Sequence, residues 1–283
     1  MNGLLHRKES RLADKVQIRK LREFSEFQEL IHIQKVIWKH DDIDVTPVHQ
    51  FCVHSRMGAI IMGAFVDGRI VGFVYSFPAL RDGALFQHSH LLAVLPEFQG
   101  LGIGKKLKWA QRREALKQGI DLITWTFDPL LAKNANLNLH ALGVRSRTYF
   151  PSFYGFTRSL CLGPGIPADR ILVEWRIGGG KLRDSRKSEK RPIEPRTSRI
   201  PKALERRAET GDSVPLPARA KLGLKAPTVL IEIPPDINAM RPQPEAISAW
   251  RAGLRSALKS YFSRGYTAED FIFGDRCYYV LTK

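Results

Sequence analysis

The chain has 283 residues, 43% hydrophobic and 10% aromatic, the composition of a folded protein with a core to bury rather than of a disordered one. A net charge of +17 favours anionic partners: nucleic acid, a membrane surface or a polyanionic small molecule. No apolar run reaches membrane-span length, Met1 to Lys15 lacks an apolar signal core, and the three cysteines (Cys52, Cys161, Cys277) are far apart with no metal-ligand spacing, so the expectation is a cytoplasmic protein without membrane contact, disulfides or metal.

Residues 16–21 (Val16-Gln17-Ile18-Arg19-Lys20-Leu21) alternate as a strand does. A helix pattern follows Ser25, its candidate cap, with Phe27, Leu30, Ile31, Ile33, Val36, Ile37 and Trp38 as apolar positions. Asp41 to Pro47 breaks it, and 48–57 reads as a short second helix. Ala59 to Val66 and Ile70 to Phe77 are strands joined at Asp67-Gly68, a strong hairpin signal. After Arg81-Asp82-Gly83 come strand 86–95, a glycine turn, helix 104–118 and strand 121–127. The order is β-α-α-β-β-β-α-β.

The turn Gln99-Gly100-Leu101-Gly102-Ile103-Gly104-Lys105-Lys106 is the feature with chemical content. Between a strand and a helix it offers unpaired backbone N–H groups, the positive end of the helix dipole and no Cβ to obstruct a ligand, which suits a phosphate or pyrophosphate. The spacing is not that of a dinucleotide fold, which needs G-x-G-x-x-G. It is not a P-loop either, because Lys105 is followed by Lys106 rather than Ser or Thr. A glycine-rich turn that only caps a helix is the alternative.

Gln99-x-x-Gly102-x-Gly104, placed after this strand and within this element order, resembles the GCN5-related N-acyltransferase (GNAT) superfamily over residues 14–178. The resemblance implies an α/β GNAT fold: a mixed, mostly antiparallel sheet flanked by helices. It implies acyl-CoA as co-substrate, acetyl-CoA or succinyl-CoA, with the pyrophosphate on Gln99, Gly100, Leu101, Gly102, Ile103, Gly104 and Lys105. The pantetheine would lie along Leu92, Ala93 and Val94, and Asn134 and Asn136 would contact it from an Asn-rich helix start. Thr126-Phe127-Asp128-Pro129-Leu130, Asn134-Ala135, Tyr154-Gly155 and Asp169-Arg170-x-x-Val173-Glu174-Trp175 resemble the branch linked to N-succinylamino acid metabolism. The expected reaction is acyl transfer to a primary amine of a small molecule, an amino acid foremost.

Such a transfer needs a base for the amine and an acid for the leaving thiolate. His90 on the central strand, with His88 on the same side, is a candidate base, and Asp128 at the end of strand 121–127 is another. The family often draws its acid from a tyrosine on the helix or loop after the fifth strand. Tyr149 and Tyr154 are the candidates here, because the usual position, four residues before Gly143-Val144, is Leu139. Arg145, Arg147 and Arg170 can pair with a carboxylate of substrate or acyl group.

Residues 179–225 hold 14 Lys and Arg against 6 Asp and Glu in a Pro- and Ser-containing stretch without interleaved aromatic residues, which reads as a basic linker. The C-terminal part, 226–283, reads β-α-β-β: Val229 to Ile233, a helix from Pro244 to Ser263 with Ile247, Trp250, Leu254, Leu258 and Phe262 on one face, then a hairpin around Gly274-Asp275. It is expected to pack on, or complete, the main sheet. Two other functions compete: a non-catalytic CoA-binding protein, and nucleic-acid binding through 181–225, which is not the expected partner. A homodimer is compatible with the chain.

Overall fold

A computed structural model describes residues 15–39, 42–155, 166–178, 197–207 and 214–283. Cys161 and the greater part of the basic linker (179–196 and 208–213) lie outside the described residues. The chain divides into two compact units, one of residues 1–125 with 176–179, the other of residues 126–175 with 180–283. Segment 126–175, read from sequence as part of the first domain, thus groups with the C-terminal part.

The first unit is built on strands β1 (Gln17–Lys20), β2 (Ile60–Val66), β3 (Arg69–Arg81), β4 (Ala84–Val94) and β5 (Leu122–Phe127), hydrogen-bonded in that order. The first three pairings are antiparallel and β4–β5 is parallel. Both tight turns take the left-handed geometry that a twisted two-residue hairpin demands: Asp67 and Gly68 have φ of 48° and 83°, Asp82 and Gly83 of 52° and 74°. Helices α1 (Phe24–Trp38) and α2 (Val48–Arg56) contribute Phe27, Leu30, Ile33 and Phe51 to a core with Ile61, Phe65, Phe73, Tyr75, Ala93 and Leu95. Helix α3 (Ile103–Lys117) packs on β1 to β4, and β2 is buried along its whole length. Ser25 does not cap α1. The helix starts one turn-position earlier, at Phe24, because the Glu26 carboxylate reaches back to the N–H groups of Arg22 (2.8 Å) and Glu23 (3.0 Å) and outcompetes a hydroxyl cap. Residues 176–178 return to this unit, where Ile177 N–H donates to Asp121 O at 2.7 Å.

The second unit has its own ladder, β7-β6-β10-β11-β9-β8. Its strands are β6 (Arg145–Phe150), β7 (Arg170–Arg176), β8 (Lys202–Leu204), β9 (Thr228–Ile233), β10 (Thr267–Ile272) and β11 (Cys277–Thr282). Short helix α4 (Ala132–Ala135) runs into a π-helical turn over Asn136–Ala141. Helix α5 (Pro244–Ser263) buries Ile247, Trp250, Leu254 and Leu258 as its periodicity requires, while Phe262 is only half-buried and Tyr261 takes the buried place. The β-α-β-β segment completes a sheet: β10 pairs with β6 through Ala268 and Ser146. Tyr149 sits on strand β6 rather than on a helix or loop, since Arg145–Phe150 pairs with β7 from Arg145↔Glu174 to Phe150↔Arg170. Among the described residues no helix is long and apolar enough to cross a membrane.

Candidate acyl-CoA site and the arginine cluster

In the first unit the site is a strand edge followed by a helix start. β4 and β5 pair only at Gln87↔Ile123 and His88↔Thr124, so β4 from Ser89 onward has no β5 partner. Leu95 N–H donates to Val71 O at 2.9 Å. Alternation along the antiparallel ladder therefore turns Ala93 toward Phe73, and turns the backbone N–H and C=O of Leu92 and Val94 away from β3. The Val94 carbonyl accepts from Gln99 Nε2 at 2.9 Å, which ties the turn to the end of the strand. Gly100 and Gly102 have φ of 83° and 73°, and a Cβ added at either would meet nothing within 4 Å. Gly102 is the N-cap of α3, whose first intrahelical bond is Lys106 N–H to Gly102 O at 3.0 Å. The N–H groups of Ile103, Gly104 and Lys105 precede that bond. Open space, left-handed glycines and a helix start together fit a pyrophosphate.

His90 occupies a bulge. Tyr75 faces Leu91 while Ser76 faces Ser89, so His90 is the extra residue of β4. Its exposed ring lies 6.0 Å from the rings of Tyr75 and of Phe77, and the ring of His88 lies 5.6 Å from Phe77, so both imidazoles share one face as expected. Desolvation, and then the neighbouring His54, lower the His90 pKa. Desolvation, then His90 and Lys108, lower that of His88 to about 4. Both are neutral imidazoles at pH 7. Two participants escaped sequence reading. His54 on α2 contacts the Tyr75 hydroxyl, and Lys108 on α3 is fully enclosed. The Lys108 ammonium donates to Ser89 Oγ (3.0 Å) and Gln111 Oε1 (2.6 Å) and lies 3.6 Å from the Trp125 ring centroid; burial holds its pKa well below the ordinary lysine range.

In the second unit Asp128, Tyr149 and Tyr154 belong to a buried charge cluster. Asp128 accepts two 2.7 Å bonds from Arg251 on α5, and also the Leu130 N–H at 2.9 Å. Both carboxylate oxygens are thus committed to the Arg251 guanidinium. Asp169 accepts from Arg255 Nε (2.8 Å) and Nη2 (2.7 Å), from Ser152 N–H (2.9 Å) and from the Tyr149 hydroxyl. Burial pushes the Asp169 carboxyl up, but Arg255, Tyr149 and the Ser152 N–H together hold it below its usual range. Burial, then the bond to Asp169, push Tyr149 up, which makes it a reluctant proton donor. Tyr154 stacks under Arg170 at 5.1 Å. Asn134 is exposed on α4, Asn136 begins the π-helical turn, and Leu139 is buried. Arg145 is an exposed residue 3.3 Å from Glu269. The signal for Arg251 was present in the sequence: it is spaced four residues from Ile247 and three from Leu254, on the apolar stripe. Among the described residues no group of His, Cys, Asp and Glu could hold a metal ion.

Sheet order, parted strand pair and glycine helix start define a class, the acyl-CoA-dependent N-acyltransferase fold. Residues 21–143 match the profile of the Acetyltransferase (GNAT) family. No curated protein matches the chain. Among solved structures it is similar to the ribosomal-protein-S18-alanine N-acetyltransferase of Escherichia coli, at 17% identity and a TM-score of 0.46 over 59% of this chain and 97% of that one. The Salmonella typhimurium protein yncA, solved with its cofactor acetyl-CoA, aligns at 16% and 0.48 over 59% and 97%. A GNAT family acetyltransferase of Elizabethkingia anophelis with acetyl-CoA bound aligns at 14% and 0.46 over 58% and 99%.

Proposed function

We propose that the protein moves an acyl group from coenzyme A to the primary amine of a small molecule, an amino acid being the first acceptor to test and acetyl or succinyl the acyl group. The carrying observation is the unpartnered edge of β4 leading directly into the glycine N-cap of α3. On this reading the N–H groups of Ile103, Gly104 and Lys105 hold the pyrophosphate, Gln99 fixes the turn, and Leu92 and Val94 bond the pantetheine as an added strand would. Acyl-coenzyme A, when bound, would supply an activated thioester. An N–H on the β4 edge polarises its carbonyl. His90 accepts the amine proton, directly or through a water, and the resulting imidazolium returns a proton to the leaving thiolate. Its lowered pKa keeps it unprotonated and able to start.

Thermal-shift measurements with acetyl-CoA, succinyl-CoA and free coenzyme A test binding. A ligand at a hundred times its dissociation constant adds about 2.7 kcal/mol of stability. Thiol release over an amine panel tests transfer, and His90→Ala is expected to slow it by about 10²-fold or more while the coenzyme-induced shift persists. No shift with any acyl-CoA overturns the reading. A shift without thiol release from any amine leaves a coenzyme-binding protein.

A further inference from the structure

We propose that the arginine cluster of the second unit binds a monocarboxylate carried on an apolar body, the α-carboxylate of an apolar amino acid, and that Arg170 is the residue that meets it. The site belongs to the second unit, and the proposal goes beyond the acyl-transfer reading.

Among the described residues the cluster is one negative charge short. Two carboxylates, Asp128 and Asp169, face three guanidinium groups, Arg170, Arg251 and Arg255. Arg251 takes both oxygens of Asp128, and Arg255 takes both of Asp169. Among the described residues Arg170 is left with a 3.6 Å approach to Asp128 Oδ2 and a 3.0 Å bond to the Asp169 backbone carbonyl. The Tyr149 and Tyr279 hydroxyls that join the cluster are neutral donors, to Asp169 and to Pro129 O. Arg170 keeps only 9% of its side-chain surface, so water cannot solvate the surplus charge as it would at the surface. The Arg251 Nε, on a side chain 3% exposed, is buried and has no hydrogen-bond partner among the described residues.

The surroundings select the ligand. One surplus charge matches a monocarboxylate better than a phosphate dianion, and a guanidinium edge offers it a paired bond. Beside Arg170 the rings of Tyr154, Phe153 and Phe150 form a run, with centroids 4.8 Å and then 5.2 Å apart, and Phe153 is 46% exposed. An apolar side chain next to the carboxylate has aromatic surface to cover.

The test is calorimetric titration of the full chain, without coenzyme, with L-phenylalanine, L-leucine, their amides, succinate and inorganic phosphate. The expected result is binding of an amino acid at least tenfold tighter than its amide, weakened tenfold or more in Arg170→Gln, partly restored in Arg170→Lys and unchanged in Arg145→Gln. Equal binding of acid and amide, no binding of either amino acid, or unchanged affinity in an Arg170→Gln protein of near-native melting temperature overturns the proposal. So does tighter binding of succinate or phosphate than of both amino acids. Carboxylate binding that persists where no thiol is released from acetyl-CoA removes the acyl-transfer reading and leaves this one standing.

Discussion

The two units handle polar groups in opposite ways. The first, in its β4 edge and the start of α3, leaves backbone donors turned outward, where a ligand can complete them. The second draws charges inward and bonds them to one another: Asp128 to Arg251, Asp169 to Arg255, and Glu232 to Arg206 (2.7 Å) and Arg276. On the proposed reading, recognition in the first is a matter of main-chain geometry and tolerates most side-chain identities. The second depends on particular side chains, each of which becomes costly once its partner is gone.

That contrast can be broken in stages. Asp128→Ala strands Arg251 as a buried uncompensated cation, and should cost about 3–5 kcal/mol in urea unfolding. A smaller loss together with abolished thiol release would restore Asp128 as a catalytic base. In the first unit, the His88 pKa of about 4 lies below its unfolded value, so the unfolded chain takes up the proton first as pH falls. Its contribution to stability is complete above about pH 6.5 and is lost toward about pH 4, amounting to about 3 kcal/mol, with the slope reduced in His88→Gln. Gly102→Glu fills the open space at the helix start with a carboxylate and is expected to erase the coenzyme-induced shift of about 2.7 kcal/mol. Retention of the shift would move the pyrophosphate elsewhere. Arg145→Gln, which removes a surface pair with Glu269, should change stability by less than about 1 kcal/mol.

Much of the fold could be read from local pattern, because hairpin turns and amphipathic helices carry short-range signals. Asp67-Gly68 placed β2 and β3, and the stripe from Ile247 to Leu258 placed α5 with its true ends. What escaped depended on distant partners. β8, three residues long, exists because Lys202 and Leu204 find Leu230 and Ile231. The two catalytic candidates Asp128 and Tyr149 were chosen for their chemical type and their place after β5. Asp128 is bonded by Arg251, 123 residues onward, and Tyr149 bonds Asp169, which Arg255 holds from 86 residues further on; no spacing rule anticipates such pairs. The conformation of the glycine turn was legible because glycine spacing reports left-handed backbone directly.

The bulge at His90 has a consequence for how freely that position can change. The ladder on its hairpin side runs Ser76↔Ser89 and on the other Tyr75↔Leu91, and these would meet in regular alternation if residue 90 were cut out. The sheet has no need of it. A chain shortened by this one residue should keep the β3–β4 hairpin, the turn and the hydrogen bonds of Leu92 and Val94, and lose an imidazole and a bend. His90 is thus the extra residue of this strand pair, and its deletion is expected to leave the β3–β4 pairing in place.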